Sequence, residues 1–228
     1  MLKTVIKVSP LALLILLSGC SENSQNVNAT IYSTIVGPDE TNISQEIVDN
    51  IPYASMYARL GDNPQALLVL GWVEENKTPV VFKWISASNE MVVTESGRIV
   101  KTVNLVNGGN LVALRSSQPD PLTLGVLRNS TPKQWQFTLS WMPGYHMNYE
   151  AKSTFIIGDL ESVSLPNHTQ NLIAVTEKVN IDKLSVTYTN HYWIDPITEQ
   201  VVASQQYLYP GSYRIDLSIA KEFHGEVK

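Results

Sequence analysis

Met91-Val92-Val93-Thr94-Glu95-Ser96-Gly97-Arg98-Ile99-Val100-Lys101-Thr102-Val103 is the stretch whose reading decides the fold. Two short runs rich in β-branched residues flank a Ser-Gly pair. Glycine at the second turn position supplies the positive φ that two-residue connections often need, so the segment reads as a β-hairpin.

The same pattern of short branched runs and polar breaks extends in both directions. Upstream, residues 66–73 and 80–85 read as strands, separated by Glu74-Glu75-Asn76-Lys77-Thr78 and closed by a break at 86–89. Downstream, one strand pair is expected at 134–141 and 146–157, joined through Met142-Pro143-Gly144-Tyr145. A second is expected at 186–194 and 200–208, interrupted by Asp195-Pro196, and a last strand or helix spans 213–223. Asn107-Gly108-Gly109-Asn110 reads as a turn. Residues 41–48 read as the start of a short helix, capped by Thr41 or Ser44, with Ile43, Ile47 and Val48 on one face. Strands joined by short turns, with no long helical period between them, predict a mainly β protein. The expectation is an antiparallel β-barrel or sandwich built from consecutive hairpins, with a few short helices.

The amino-terminal end has a different character. Lys3 and Lys7 precede an apolar run at 11–17, which is too short to span a bilayer core of about 30 Å as a permanent helix. Leu17-Ser18-Gly19-Cys20 follows and looks like a bacterial lipobox, in which the thiol is acylated and the chain is cut before it. Cys20 is the only cysteine, so its lipidation leaves no thiol for a disulfide or for the usual zinc sets. Residues 1–19 are thus expected to be a signal peptide. Residues 20–40, small and polar, are expected to be a lipidated linker, and 41–228 a single β-rich periplasmic domain. Ser21 stands where aspartate would signal inner-membrane retention, which points to the outer membrane.

Charge narrows the function. Of 16 basic and 21 acidic side chains, removal of Lys3 and Lys7 leaves 14 against 21, a formal −7. Such a domain is poorly suited to nucleic acid or to an anionic lipid surface, and it binds an acidic polymer only where a local basic patch overrides the mean. His146, His168, His191 and His224 lack the spacing of a helical metal pair, and no metal or cofactor is expected. There is no Gly-x-Ser-x-Gly elbow, phosphate loop or dinucleotide fingerprint. Asp120, Asp159, Asp195 and Glu199 lie beside turn signals, where side-chain oxygens bind local backbone amides. No catalytic pair stands out, and the chain is expected not to be an enzyme. Aromatic residues crowd the segments around 141–149 and 188–213; most are expected to fill the core, while the turn residues Tyr145 and Tyr209 are the candidate ligand-binding positions.

Three segments, in order, resemble the YjbF/GfcB lipoprotein family. Ile51-Pro52-Tyr53-Ala54-Ser55-Met56-Tyr57-Ala58-Arg59-Leu60 is similar to its Pro-Tyr-Ala-Ser segment, and Thr94-Glu95-Ser96-Gly97-Arg98-Ile99-Val100-Lys101-Thr102 to its Gly-Arg-hydrophobic-Val-Lys-Thr hairpin. His191-Tyr192-Trp193-Ile194-Asp195, followed by Gln205-Gln206-Tyr207-Leu208, resembles its carboxy-terminal signature. Residues 124–182 carry no matching motif. The resemblance implies an outer-membrane lipoprotein encoded with exopolysaccharide or group 4 capsule secretion components, and carries no catalytic residues. The expected role is a non-enzymatic periplasmic accessory in assembly or export, contacting other secretion proteins or the polysaccharide itself. A lipid or lipoprotein carrier with a hollow barrel, and a polysaccharide hydrolase or lyase, are the rival readings.

Overall fold

The computed structural model describes residues 43, 45–105 and 109–225. The expected signal peptide, Cys20, the 20–40 linker, the helix caps Thr41 and Ser44 and half of the 107–110 turn lie outside the described residues.

Twelve strands form one antiparallel sheet: β1 (Ser55–Leu60), β2 (Ala66–Glu74), β3 (Val81–Ile85), β4 (Met91–Glu95), β5 (Arg98–Val103), β6 (Asn110–Arg115), β7 (Gln134–Met142), β8 (His146–Ser164), β9 (Thr169–Ile181), β10 (Val186–Ile194), β11 (Val201–Tyr207) and β12 (Arg214–Lys221). Their order is β5-β4-β3-β2-β1-β12-β11-β10-β9-β8-β7-β6, so every pair of sequence neighbours is hydrogen-bonded except β5 and β6, and the first strand, β1, pairs with the last, β12. The sheet curls into a nearly closed barrel whose two edge strands, β5 and β6, meet. Side chains bridge this seam in place of a ladder. Thr102 Oγ1 accepts a hydrogen bond from the Leu111 N–H at 3.0 Å, and Asn110 Oδ1 accepts one from the Leu105 N–H at 3.2 Å. Closing the seam removes two open edges that would otherwise template aggregation.

The decisive hairpin is β4–β5, with Ser96 at φ 48° and Gly97 at φ 84° in the connection. Of the barrel and sandwich alternatives the fold is the barrel, and the 213–223 segment is a strand. Helix is scarcer than expected: the described residues hold one short α-helix, α1 (Gln45–Asn50), and a 3-10 turn at Asp182–Leu184. Strands β1, β6 and β9 were not expected from the sequence, although β9 (Thr-Gln-Asn-Leu-Ile-Ala-Val-Thr-Glu-Lys-Val-Asn-Ile) is rich in β-branched residues. β1 (Ser-Met-Tyr-Ala-Arg-Leu) has no β-branched residue, and it is a strand because β2 and β12 pair with it on both sides. β8 continues past residue 157 to Ser164, because a bulge between Ile157 and Leu160 absorbs Gly158 and Asp159 without ending the pairing to β9.

Alternation places the core. Trp135, Phe137, Leu139 and Trp141 of β7 point inward, as do Val175, Val179 and Ile181 of β9 and Tyr192 and Ile194 of β10. β2 breaks the rule, with Leu67, Leu68, Val69 and Leu70 all buried. The reason is α1, which lays Val48 and Ile51 over the outer side chains Tyr57, Leu67 and Val69. A strand covered on both faces reads as a continuous apolar run.

Candidate functional site

Arg98 begins β5 immediately after the turn glycine, yet its side chain is 3% exposed and lies among the barrel's interior side chains. Its guanidinium donates to both oxygens of Glu177, at 2.9 and 3.0 Å, to the Tyr192 hydroxyl at 3.0 Å, and to Asp120. One face of the guanidinium lies 4.7 Å from the centre of the Trp135 ring. Glu177 accepts two further bonds, from Asn190 Nδ2 and the Tyr192 hydroxyl, each at 3.0 Å. Gln206 braces the hairpin from β11: its Oε1 accepts from the Ile99 N–H at 3.0 Å and its Nε2 donates to the Gly97 carbonyl at 2.9 Å.

Charge sets the protonation of this group. Burial pushes the Glu177 carboxyl up, but the Arg98 charge and the hydrogen bonds from Arg98 and Asn190 outweigh it and hold it below its ordinary value. Burial works against the Arg98 charge as well, and Asp120 and Glu177 more than restore it. Burial drives the Tyr192 phenol well above its usual range, so it stays protonated and donates. One guanidinium serves two carboxylates, and every charge of the group has a hydrogen-bonded partner within it. This arrangement can hold a barrel together; it presents no free acid, base or nucleophile to a substrate.

Arg98 and Tyr192, from family segments far apart in sequence, therefore meet in one network, and Gln206 fastens the backbone on either side of Arg98. Tyr192 faces inward while Trp193 faces out and donates to Glu161 Oε1 at 2.6 Å. Asp120 and Asp195 bind local amides as turn residues do: Asp120 Oδ1 accepts from the Leu122 N–H at 2.9 Å, and Asp195 Oδ1 from Ile197 and Thr198 at 2.8 Å. Glu177 and Asn190 carried no prediction. The signal for Glu177 was its parity: it occupies an inward position between Val175 and Val179, where a carboxylate demands a partner.

The candidate positions Tyr145 and Tyr209 differ. Tyr145 is 83% exposed in the β7–β8 turn, at φ 54°. Tyr209, expected at a surface turn, is 6% exposed, its ring stacked 5.5 Å from that of Trp141 with an interplanar angle of 4°. The Pro-Gly turn thus brings Trp141, His146, Tyr149 and Tyr209 together but leaves Tyr145 outside. Elsewhere the barrel retains a cavity of about 350 Å³ walled by Met56, Phe82, Trp84, Leu217, Ile219 and Phe223, with the Arg128–Glu199 ion pair (2.6 Å) in its lining. Among the described residues no three His, Cys, Asp or Glu side chains gather to hold a metal.

Comparison with known proteins gives this fold a family. The chain is 28% identical over 206 residues to lipoprotein GfcB of Escherichia coli (strain K12), covering 90% of this chain and 93% of that protein. It is 26% identical over 208 residues to lipoprotein YjbF of the same organism, covering 91% and 93%. The crystal structure of the hypothetical lipoprotein YmcC from Escherichia coli (K12) superposes with a TM-score of 0.74 at 25% identity, covering 91% of this chain and 99% of that one. Residues 28–219 match the family described as Group 4 capsule polysaccharide lipoprotein gfcB, YjbF. With that match spanning most of its length, the chain belongs to the GfcB/YjbF family of group 4 capsule polysaccharide lipoproteins.

Proposed function

We propose that this protein is a non-enzymatic accessory in the assembly or export of a capsule or exopolysaccharide, held at the outer membrane by lipid on Cys20 and facing the periplasm. Residues 1–19 are removed, 20–40 form the tether and 41–228 the working domain. The anchor raises the domain's effective concentration near secretion proteins and the passing glycan. Family membership supports the pathway. The observation that carries the non-enzymatic reading is the enclosed Arg98–Glu177–Tyr192–Asp120 group: the most chemically loaded cluster in the barrel is occupied with itself.

Deleting the gene and restoring it with wild-type or Cys20→Ser protein tests the reading. The expected result is loss of surface polysaccharide, full restoration by the wild type, and failure of the Cys20→Ser protein, which leaves the membrane fraction. Unchanged polysaccharide in the deletion strain, under conditions where neighbouring genes are required, would overturn it. A second reading, a lipid or lipoprotein carrier, draws on the 350 Å³ cavity with its Phe82, Trp84 and Phe223 lining. Native mass spectrometry of protein purified from membranes checks it: a carrier retains an acyl ligand, and empty protein counts against that role.

A further inference from the structure

A second concavity lies on the outer wall of the barrel, across the seam. It has a volume of about 700 Å³ and is bounded by β2 to β5 on one side and residues 112–115 of β6 on the other. The pairing register sets its floor as rows of outward side chains. Trp72, Lys83, Val93 and Lys101 lie side by side on β2, β3, β4 and β5, and Glu74, Val81 and Glu95 form the next row. Three strand spacings of about 4.8 Å separate Trp72 from Lys101 by about 14 Å, a length suited to an extended oligomer.

Two features of this groove have no internal explanation. Trp72 is 54% exposed, although an indole in that position loses a large apolar area to water. Its cations also outnumber its acids. Lys77 and Lys83 both pair with Glu74, whose carboxyl their hydrogen bonds hold down at about 2. Lys101 and Arg115, both exposed, make no ion pair among the described residues. In a chain of formal net charge −5, two unmatched cations beside an exposed tryptophan mark a local departure from the mean.

We propose that this groove binds a segment of an acidic polysaccharide, one sugar ring stacked on Trp72 and its neighbours' carboxylates held by Lys101 and Arg115. The indole face takes the C–H face of a pyranose, and the cations take the charge that a neutral glycan lacks. The ligand class rests on the proposed capsule role; the site rests on the groove alone.

Isothermal titration of the full-length protein in detergent tests the site. Oligogalacturonides and hyaluronan oligosaccharides are the probes, with malto-oligosaccharides as the uncharged control. The expected result is saturable binding of an acidic probe that weakens with added salt, and none of the neutral one. Trp72→Ala should weaken binding about tenfold, and Lys101→Ala with Arg115→Ala together about tenfold, with circular dichroism unchanged. Binding of neither acidic probe, or binding indifferent to all three substitutions, overturns the site. Sedimentation showing a dimer that Trp72→Ala dissolves also overturns it, making the groove an interface between copies. The deletion phenotype separates this from the capsule role. If polysaccharide is unchanged in the deletion strain while acidic probes bind, the capsule role falls and the groove stands. If polysaccharide is lost while no probe binds, the groove alone falls.

Discussion

Removing Arg98 leaves Glu177 buried and Asp120 nearly so without a cation, whereas removing Glu177 leaves Arg98 paired with Asp120 alone, so the three residues must be read together. Glu177→Gln keeps the shape and removes the charge opposite Arg98. It should lower the unfolding free energy by about 1.5–3 kcal/mol in urea titration, since the pairing of Arg98 with Asp120 persists, and Arg98→Met, which strips both carboxylates of their cation, should cost more. The pH dependence follows from the lowered Glu177 value. In acid the unfolded carboxyl takes up a proton that the folded one refuses, so protonation favours unfolding. The contribution is complete above the ordinary glutamate value of about 4.3 and is lost as pH falls through the lower folded value. Urea midpoints of the wild type should therefore fall on acidification through this range, and those of Glu177→Gln should fall less.

At the scale of the element, the β4–β5 connection shows how a turn is fixed twice over. Gly97 at φ 84° avoids the strain a side chain would carry there, and a methyl group on it would also collide with Val201. Gly211, at φ 80°, has open space around it and so isolates the backbone part. Gly211→Ala should cost about 1 kcal/mol. Gly97→Ala adds overpacking and should cost about 3 kcal/mol. Thermal melts of the two variants measure the difference, and equal melting points would mean that Val201 moves aside freely.

The whole molecule is closed at one seam. Thr102 is buried there and supplies the acceptor for the Leu111 N–H, which no strand partner satisfies. Thr102→Val keeps the volume and removes the acceptor, leaving a buried donor at a cost of about 1–3 kcal/mol. Thr102→Ser retains the oxygen and loses only a methyl, about 0.8 kcal/mol. Amide exchange at Leu111 should accelerate in Thr102→Val and stay slow in Thr102→Ser. Equal exchange in both would show that the seam is held by packing alone.

Local pattern was enough to read the hairpin at 91–103, the strands at 66–73, 80–85, 134–141 and 186–194, and the mainly β class, because turn chemistry and period-two burial act within a few residues. The three family segments were legible for the same reason: each is a contiguous string. β1 was not legible, since neighbouring strands, rather than its own propensity, make it a strand, whereas β9, rich in Ile, Val and Thr, carried a signal that was missed. Barrel against sandwich depends on whether β5 meets β6, a contact between distant edges that no local window contains. The same limit hid the Arg98–Glu177–Tyr192–Asp120 network and the burial of Tyr209. A sequence states which side chains alternate; which of them face one another across the interior is decided only when the sheet curls and closes.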